Sequence, residues 1–561
     1  MLQEDFAMRR KKSVDGLTVQ AIAGTYVVLL GFHMKKEDCP GLLGFSVHRT
    51  DHTENEAAFL QGMKCFAETD PGFPDGSSYS TKLHPVQSFG WSDYTAKPGH
   101  RYTYTVTALK GSPAALVAVA TVAIDIETED PLGGDHDVYF NSGVAGSQAY
   151  VRRFGDRRPE QVPNNAAFNW LSRGLFEAMK DFVAKAVDNR FELRVAVYEF
   201  HYRPLLDCLK QAADRGVTLK IVYDRREESP GKANDDAVDA AGLRAFSTRR
   251  TVGSGISHNK FMVLFENGTP RAVWTGGANI SEGGIFGHSN VAHVVEDDAV
   301  AQAYADYWTL LQADPKTAKL RPDVDGLSPL PANPRPPVGT TPIFSPRGSQ
   351  AALQWYQGLA LSAKDGLFMT FAFGINDTFK TVYRDGRAPL RFALLEKKTR
   401  SMKAGPERVA EERAIDVLRR DKANIFAIGH HLRTNKLDGW VMEKLTGLNK
   451  NVQYVHNKFM LVDPLSDDPI VVAGSANFST ASTVDNDENM VIVRGNKRLA
   501  DIYLGEFMRL YSHHAFRESL TFNQPQQDAK HLIANDGWWA NSFGDTPRSR
   551  RRAYFAGVPF D

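Results

Sequence analysis

Two different patterns of hydrophobic and polar positions divide the chain at about residue 130. Before that point, β-branched and aromatic residues alternate with polar ones or run together, and clusters of Gly, Pro, Asp and Lys separate the runs. Strands are predicted at GFSVHRTD (44–51), HRYTYTVTAL (100–109) and ALVAVATVAIDI (115–126). Residues 1–132 are therefore predicted to form an all-β sandwich module.

Beyond Val138 the pattern changes to alternating helices and strands, which predicts an α/β fold. Helical spacing over 168–187 precedes a strand at 193–200, a helix at 204–216 and a strand at 217–224. A second series repeats this order, with a helix at 351–364, a strand at 367–375, a short helix at 377–383 and a strand at 390–398. The chain is thus predicted to contain two similar α/β halves, 133–325 and 343–561, the second with a C-terminal extension.

A proline-rich stretch separates the two predicted halves. The sequence RPDVDGLSPLPANPRPPVGTTP occupies 321–342, and its prolines disfavour a regular helix or an inner strand. An extended connection is expected here, with the linker itself at 326–342.

One pentapeptide, HNKFM, occurs in both halves, at 258–262 and at 456–460. GGAN follows the first copy and GSAN the second, and the Asn lies 21 positions after the His in each case, at Asn279 and Asn477. Two copies with one spacing indicate that a whole local structure is repeated.

The repeated residues favour phosphate chemistry. Residues i and i+2 of a strand point to the same side, so His258 can share a pocket with Lys260, and His456 with Lys458. If the halves pair about a pseudo-twofold axis, one pocket collects two His, two Lys and two Asn. Such a set suits a tetrahedral phosphate, with one His as nucleophile and the other as general acid, and it requires no metal or other cofactor.

Composition and charge narrow the picture only slightly. The 561 residues are 42% hydrophobic and 24% charged with a formal net charge of +1, so the total charge favours neither a basic nucleic-acid coat nor an acidic tail. The three cysteines, Cys39, Cys65 and Cys208, indicate no disulfide framework or zinc site, and a reducing compartment is expected. No signal peptide is visible, and the apolar segment 17–32 favours strands over a membrane span. We expect a cytoplasmic protein without stable membrane insertion.

The second copy, HNKFMLVD followed by GSAN, resembles the signature of the phospholipase D superfamily, and the first copy with GGAN is similar to a variant of it. The resemblance covers roughly 135–520. It implies a pseudo-twofold core and a metal-independent phosphodiesterase that acts through a covalent phosphohistidine. Since both halves lie in one chain, a monomer would suffice.

The resemblance carries further residues over to the second half. Asp463 and Ser475 match the motif, and Glu488 falls where the family often places a carboxylate that holds the His. Ser475 is grouped with Asn279 and Asn477 as phosphate-binding, and Asp463 with Glu488 as supporting residues.

The first half departs from the family pattern at two positions. Phe265 stands where the motif has Asp, and an alignment of GHSNVAHVV with DNDENMVIV puts Ser289 in the place of Glu488. His258 then lacks an evident carboxylate partner, which Glu266 or a residue of the other half could supply.

This asymmetry suggests different roles for the two histidines. A carboxylate favours the imidazolium form, so His456 beside Glu488 is expected to act as the acid. His258 is expected to be the neutral nucleophile, an order that the resemblance also implies.

The substrate is the least determined property. GSANFSTASTVDNDEN resembles the bacterial nuclease-like branch of the superfamily, which favours a nucleic-acid backbone, whereas TGGAN also resembles true phospholipases. A non-catalytic phosphodiester-binding protein is a further alternative. WSDYTAKPGHRYTYTVTALKG resembles part of a fibronectin type III domain, so the β module has the character of a targeting or rigidifying unit.

Some conspicuous residues allow simpler interpretations. Glu199 and His201 follow a predicted strand and either line the pocket mouth or lie outside it. The basic stretches RRKK and PRSRRRAYF could contact phosphates, but the C-terminal one is expected to be a solvated tail.

Overall fold

The computed structural model describes residues 8–131, 134–143, 147–252, 254–400, 403–429, 453–522 and 530–560. Its strands are β1 (Arg9–Val14), β2 (Leu17–Ala23), β3 (Val28–His33), β4 (Leu42–Asp51), β5 (Glu56–Phe59), β6 (Gln61–Gly62), β7 (Tyr79–Ser80), β8 (Gly90–Asp93), β9 (Arg101–Ser112), β10 (Ala115–Glu127), β11 (His136–Phe140), β12 (Phe191–Val197), β13 (Thr218–Asp224), β14 (Ser247–Arg250), β15 (Lys260–Glu266), β16 (Thr269–Gly276), β17 (Val291–Val295), β18 (Gly339–Ser345), β19 (Leu367–Phe371), β20 (Arg391–Leu395), β21 (Asn424–Ile428), β22 (Phe459–Val462), β23 (Ile470–Gly474) and β24 (Glu488–Arg494). Its α-helices are α1 (Gln148–Phe154), α2 (Ala166–Ser172), α3 (Leu175–Ala184), α4 (Arg203–Asp214), α5 (Gly231–Ala240), α6 (Asp298–Gln312), α7 (Thr317–Leu327), α8 (Ala351–Leu361), α9 (Asp377–Asp385), α10 (Pro406–Leu418), α11 (Thr480–Val484), α12 (Lys497–Phe522) and α13 (Pro547–Ala556).

The N-terminal part consists of two antiparallel four-stranded sheets, in the orders β1-β2-β3-β8 and β10-β9-β4-β5. Along β9 every second side chain is buried, and Tyr102, Tyr104 and Val106 all have 0% exposure. These side chains and those of β2 and β3 form one hydrophobic cluster. The predicted strands at 44–51, 100–109 and 115–126 are β4, β9 and β10, so the predicted all-β architecture is confirmed.

The C-terminal segment completes the core of this N-terminal module. Trp538 and Phe543 belong to the same hydrophobic cluster, and the Trp538 indole donates a hydrogen bond of 2.7 Å to the Leu42 carbonyl. Helix α13 follows, with Arg552 only 2% exposed and its guanidinium 4.4 Å from the Phe543 ring centre. The expectation of a solvated tail is therefore wrong, because Tyr554 and Phe555, which follow the arginines, are each only 8% exposed and belong to a large hydrophobic cluster.

The two halves have the same topology, strand for strand. Each contains a mixed seven-stranded sheet, in the order β11-β17-β16-β15-β12-β13-β14 in the first half and β18-β24-β23-β22-β19-β20-β21 in the second. The predicted fold of two similar α/β halves is confirmed. Strand β15 begins at Lys260, and β22 begins directly after Lys458. Each of these strands lies at the centre of its sheet.

Two local expectations differ from the structure. The helix predicted over 168–187 is two helices, α2 and α3, because Arg173 and Gly174 between them have φ values of 50° and 90°. The proline-rich stretch is extended only in part, since α7 continues to Leu327 through Pro322 and β18 begins at Gly339. Burial of Leu320 and Val324 holds α7 despite the lost hydrogen bond, and β18 tolerates Pro342 because it is an edge strand.

A shared hydrophobic core fixes the two halves against each other. It combines side chains of both sheets with those of α6 and α12, among them Tyr304, Phe344, Phe459 and Tyr503.

The predicted boundary between residues 132 and 133 lies outside the described residues. Among the described helices, none has both the length and the apolar character needed to cross a bilayer.

Candidate active site

The segments that enter the two His-x-Lys motifs pair across the halves. The His258 backbone N–H donates to the Asp487 carbonyl at 3.0 Å, and the His456 N–H donates to the Ser289 carbonyl at 3.2 Å. These two contacts are equivalent under exchange of the halves. They place each motif at the boundary between the two sheets.

The structure brings the four motif side chains into one buried site. Each lysine Nζ donates to the carbonyl of its own histidine, and Lys260 and Lys458 are only 3% and 1% exposed. Lys260 and His258 of the first half lower the pKa of His456 in the second, after the larger effect of burial. The predicted meeting of both motifs in one pocket is thus what the structure has.

The carboxylate of Glu488 contacts the histidine of the opposite half. Its Oε2 accepts a hydrogen bond from His258 Nδ1 at 2.8 Å and another from the Ser475 hydroxyl at 2.7 Å. The expectation that Glu488 holds His456 is therefore wrong, and the alternative of a partner from the other half is correct. Ser475 has 0% exposure and its hydroxyl is engaged by Glu488, so its binding of a phosphate stays a prediction.

His456 has an amide partner instead of a carboxylate. Its Nδ1 lies 3.0 Å from Oδ1 of Asn290, whose Nδ2 lies 3.0 Å from Nδ1 of His288. Strand pairing makes Asn290 the equivalent of Glu488, because Gly276 pairs with Ala292 as Gly474 pairs with Met490. The alignment of Ser289 with Glu488 was one residue out of register, and Ser289 corresponds to Asp487.

Burial keeps both imidazoles neutral at rest. It lowers the pKa of His258 to about 4 despite the opposing effect of Glu488, and it lowers the pKa of His456 well below 6.5. Burial also lowers the pKa of Lys260 to about 7 and that of Lys458 well below 10.5, the latter with help from Lys260. Burial raises the pKa of Glu488, but the hydrogen bonds from His258 and Ser475 and the charge of Lys260 outweigh this effect and leave the pKa below its usual value, so this carboxyl is ionised. An anion that binds here stabilises the charged forms of Lys260 and Lys458, whose pKa values burial has lowered.

The motif residue Asp463 lies outside this pocket. Its Oδ1 accepts hydrogen bonds from the backbone N–H groups of Lys364, Asp365 and Gly366, and its Oδ2 accepts one from Arg335 at 2.7 Å. It therefore holds the turn that precedes β19. Phe265 at the equivalent position is buried under Arg194, whose guanidinium is 4.2 Å from the ring centre, so the replacement of Asp by Phe leaves the pocket unchanged.

The two motif asparagines retain hydrogen-bonding capacity. Oδ1 of Asn279 and Oδ1 of Asn477 are buried and have no hydrogen-bond partner among the described residues. Since the O and N atoms of an amide exchange by a half rotation, each side chain can turn its NH₂ group towards an anion. Both are suited to a phosphate oxygen.

A cavity of about 320 Å³ opens beside Lys458. Its wall also includes Asn477, Ala372, Phe373 and Arg400. Glu199 and His201 were the two candidates for the pocket mouth. Burial lowers the pKa of both motif lysines and Glu199 raises it, so Glu199 lies near them. His201 contacts Asn234 at 3.5 Å, and it is absent from the wall of this cavity.

A group that could bind a metal ion lies far from this site in the fold. In the described part of the chain, Cys65, Asp70 and His531 bring their ligand atoms within 4.8 Å of one another, where the N-terminal module meets the C-terminal segment. Lys530 Nζ already contacts the Asp70 carboxylate at 2.6 Å. The catalytic candidates are not part of this group.

The profile of the family described as cardiolipin synthase, PLD-like domain, matches residues 184–309 and 412–511. These ranges contain both HNKFM motifs and both asparagines, one set in each half. Over these two ranges the chain is similar to a phospholipase D-like domain. This similarity agrees with the expectation of a phosphodiesterase or hydrolase.

Several solved structures are similar to parts of this chain, and the chain spans less than half of the first of them. Polyphosphate kinase from Porphyromonas gingivalis is 11% identical over 58% of this chain and 46% of its own, with a TM-score of 0.36. Phosphatidylserine synthase from Haemophilus influenzae is 12% identical over 60% and 84%, with a TM-score of 0.40. The phospholipase D family member Nuc from Salmonella typhimurium is 20% identical over 31% and 94%, with a TM-score of 0.22. No curated protein matches the chain, and no substrate follows from these likenesses.

Two residues of the phospholipase D-like site were missed from the sequence. Asn290 had a usable signal, because it lies 198 positions before Glu488, the same interval that separates His258 from His456. His288, whose ring centre is 4.3 Å from that of His456, had none, since its equivalent in the second half is Asn486.

Proposed function

We propose that this protein hydrolyses phosphodiester bonds through a covalent phosphohistidine on His258, with a nucleic-acid backbone as the preferred substrate. The observation that carries the proposal is the hydrogen bond from His258 to Glu488 of the opposite half, beside both lysines. It assigns the nucleophile to the same residue as the sequence does, for a different reason. A carboxylate on Nδ1 fixes the tautomer in which the Nε2 lone pair is free to attack.

The first step forms a bond from His258 Nε2 to phosphorus and breaks the bond from phosphorus to the leaving oxygen. His456 donates its Nε2 proton to that oxygen, and Glu488 stabilises the positive charge that develops on the His258 ring. The bound phosphate supplies the negative charge that raises the pKa of His456 enough for it to carry this proton. Asn290 Oδ1 accepts a hydrogen bond from the Nδ1–H of His456 in both protonation forms.

The second step returns the enzyme to its starting state. His456 takes a proton from water, the hydroxide oxygen forms a bond to phosphorus, and the phosphorus bond to His258 breaks with its electron pair returning to Nε2. Lys260, Lys458, Asn279 and Asn477 stabilise the equatorial oxygens in both steps. Because these donors supply the charge, we propose that the reaction is independent of metal ions.

Two substrate classes remain to be separated by experiment. The nuclease-like form of the second motif, GSANFSTASTVDNDEN, supports a nucleic acid. The description of the matching family profile, cardiolipin synthase, supports a phospholipid as the second candidate.

The remaining parts of the chain enter the proposal as follows. We assign the N-terminal module a fibronectin type III-like role in rigidifying the enzyme, supported by the cluster it shares with the C-terminal segment. A monomer is proposed because one chain supplies both motifs. The unpaired state of all three cysteines supports a cytoplasmic location.

The test uses the full chain in EDTA with bis(p-nitrophenyl) phosphate, single-stranded DNA, RNA, and vesicles of phosphatidylcholine or cardiolipin. His258→Ala should abolish turnover. His456→Ala should accumulate a phosphoenzyme from the nitrophenyl ester, because nitrophenolate leaves without a proton whereas water needs a base. His52→Ala, an exposed histidine of the module, is the control and should match the wild type.

Three results would contradict the proposal. They are a phosphoryl label on His456, loss of activity in EDTA, and full activity of His258→Ala. Cleavage of vesicles with no cleavage of nucleic acid would keep the mechanism and replace the substrate.

A further inference from the structure

The two halves differ at the position that flanks each motif lysine. Val195 pairs with Met262 in the first half as Met369 pairs with Met460 in the second, so the residues three places further on, Tyr198 and Ala372, are equivalent. Large and small side chains thus occupy related places on the two sides of the pocket.

Tyr198 occupies its place beside the first-half motif. Its ring centre is 5.1 Å from Lys260 Nζ and 5.1 Å from the His258 ring centre, and its hydroxyl accepts a hydrogen bond from Arg226 at 3.4 Å. Ala372 has only a methyl group to offer, and the 320 Å³ cavity lies there beside Lys458. The near-symmetric site therefore has room for a large substituent on the second-half side.

The side chains around this cavity indicate what it can accept. Its inner end has Lys458 and Asn477, and its outer end has Phe373, which is 45% exposed, and the exposed Arg400. No Asp or Glu is among the described residues that line it. A cationic lipid head group would find no carboxylate on the wall of this cavity, and the nearby Glu488 is already engaged by His258 and Ser475, which disfavours it.

A nucleoside fits these features better. The volume lies in the range of about 300–1,000 Å³ that is usual for small-molecule sites. An exposed phenylalanine gives an unpaired base a surface to stack on, and arginine binds the next phosphate of a strand. A base can reach such a surface only when it is free of a duplex stack.

We propose that this cavity, defined by Ala372, Phe373, Arg400, Lys458 and Asn477, binds one nucleoside of a single-stranded nucleic acid. The base stacks on Phe373, and Arg400 contacts the phosphate one nucleotide away from the bond that is cut. This inference rests on the proposed phosphodiesterase function and adds the single-stranded form of the nucleic acid and the side of the site that binds it.

The first experiment compares three variants of the full chain on substrates of increasing size. Ala372→Tyr copies the first half and fills the cavity, Phe373→Ala removes the stacking surface, and Arg400→Ala removes the cation. The substrates are methyl p-nitrophenyl phosphate, the dinucleotide d(TpT), the trinucleotide d(TpTpT) and a 12-residue single strand.

Phe373→Ala should raise KM for d(TpT) and longer strands by about 10-fold, as expected for the loss of one stacked base. Ala372→Tyr should raise it at least as much, and in both variants KM for d(TpT) should rise by a larger factor than KM for the methyl ester. Arg400→Ala should leave d(TpT) unaffected, because that substrate has a single phosphate, and should raise KM for the two longer substrates. Phe73→Ala in the module, 48% exposed in the wild type, is the matched control.

Direct binding of a fluorescein-labelled single strand separates this inference from the proposed function. Wild-type KM and affinity in Phe373→Ala and in Ala372→Tyr would overturn the cavity assignment while hydrolysis of the methyl ester upheld the phosphodiesterase. Absence of all hydrolysis with weakened strand binding in both variants would overturn the phosphodiesterase and support the cavity. If Ala372→Tyr fails to fold, Phe373→Ala and Arg400→Ala decide, since both remove exposed side chains.

Discussion

At the scale of single residues, the site is symmetric in its histidines and lysines and asymmetric in what holds the histidines. A carboxylate contacts His258 and an amide contacts His456, in both cases across the boundary between the halves. The two imidazoles therefore differ in their ability to stabilise a positive charge, which is the difference that a nucleophile and an acid require.

Replacing Glu488 with Gln should lower kcat by roughly 10²–10⁴-fold, because the shape is kept while the charge that stabilises the His258 ring is lost. Steady-state kinetics with bis(p-nitrophenyl) phosphate would measure it, with Glu37→Gln on an exposed turn as the control. An unchanged kcat would show that His258 does not depend on this carboxylate.

The pH dependence of kcat/KM should have an acid limb set by His258 and an alkaline limb to which Lys260 contributes, together with the acid His456 and with Lys458. Since the pKa of Lys260 is lowered to about 7, the free enzyme loses this cation as pH rises through 7, and activity should fall. Since the pKa of His258 is lowered to about 4, the nucleophile becomes protonated only below that pH, and the acid limb should lie there. Lys260→Arg should move the alkaline limb upwards, and an alkaline limb unaffected by this change would contradict its assignment.

At the scale of elements, the motif aspartate is part of a turn and not of the catalytic pocket. Asp463→Ala removes the acceptor for three backbone N–H groups ahead of β19 and should cost about 1–3 kcal/mol. The measurement is the thermal midpoint, together with kcat of the folded protein, which should stay near the wild-type value. A folded but inactive variant would place Asp463 in the chemistry after all.

Sequence patterns predicted most elements and the meeting of the two motifs, because strand alternation and the 198-residue interval are local or repeated signals. They could not predict which half supplies the partner of His258, since this depends on how two sheets face each other. The burial of Arg552 was missed for a related reason, because it depends on a surface that is formed by residues far away in the sequence. The cavity beside Ala372 is formed by side chains from several separate segments, so no local sequence pattern predicts it.

At the scale of the whole molecule, residues far apart in the sequence share one hydrophobic core. The C-terminal segment contributes Trp538 to the core of the N-terminal module, where this side chain is 6% exposed. Trp538→Ala should cost about 3–5 kcal/mol by leaving a cavity between the sheets. Urea denaturation followed by tryptophan fluorescence and circular dichroism would measure this.

The matched control is Phe560→Ala, which removes an aromatic side chain of the same segment that is 41% exposed. Equal stability of the two variants would mean that the segment only rests on the module.

The late arrival of Trp538 has a consequence for synthesis on the ribosome. The strands that it covers are translated first. The apolar gap that Trp538 fills stays open until that residue is made, 411 positions after β10 ends at Glu127. Cotranslational folding of the N-terminal module is thus completed only after the segment that contains Trp538 has been translated. Expressing the first 132 residues alone would yield a domain with a permanent hole and a tendency to aggregate.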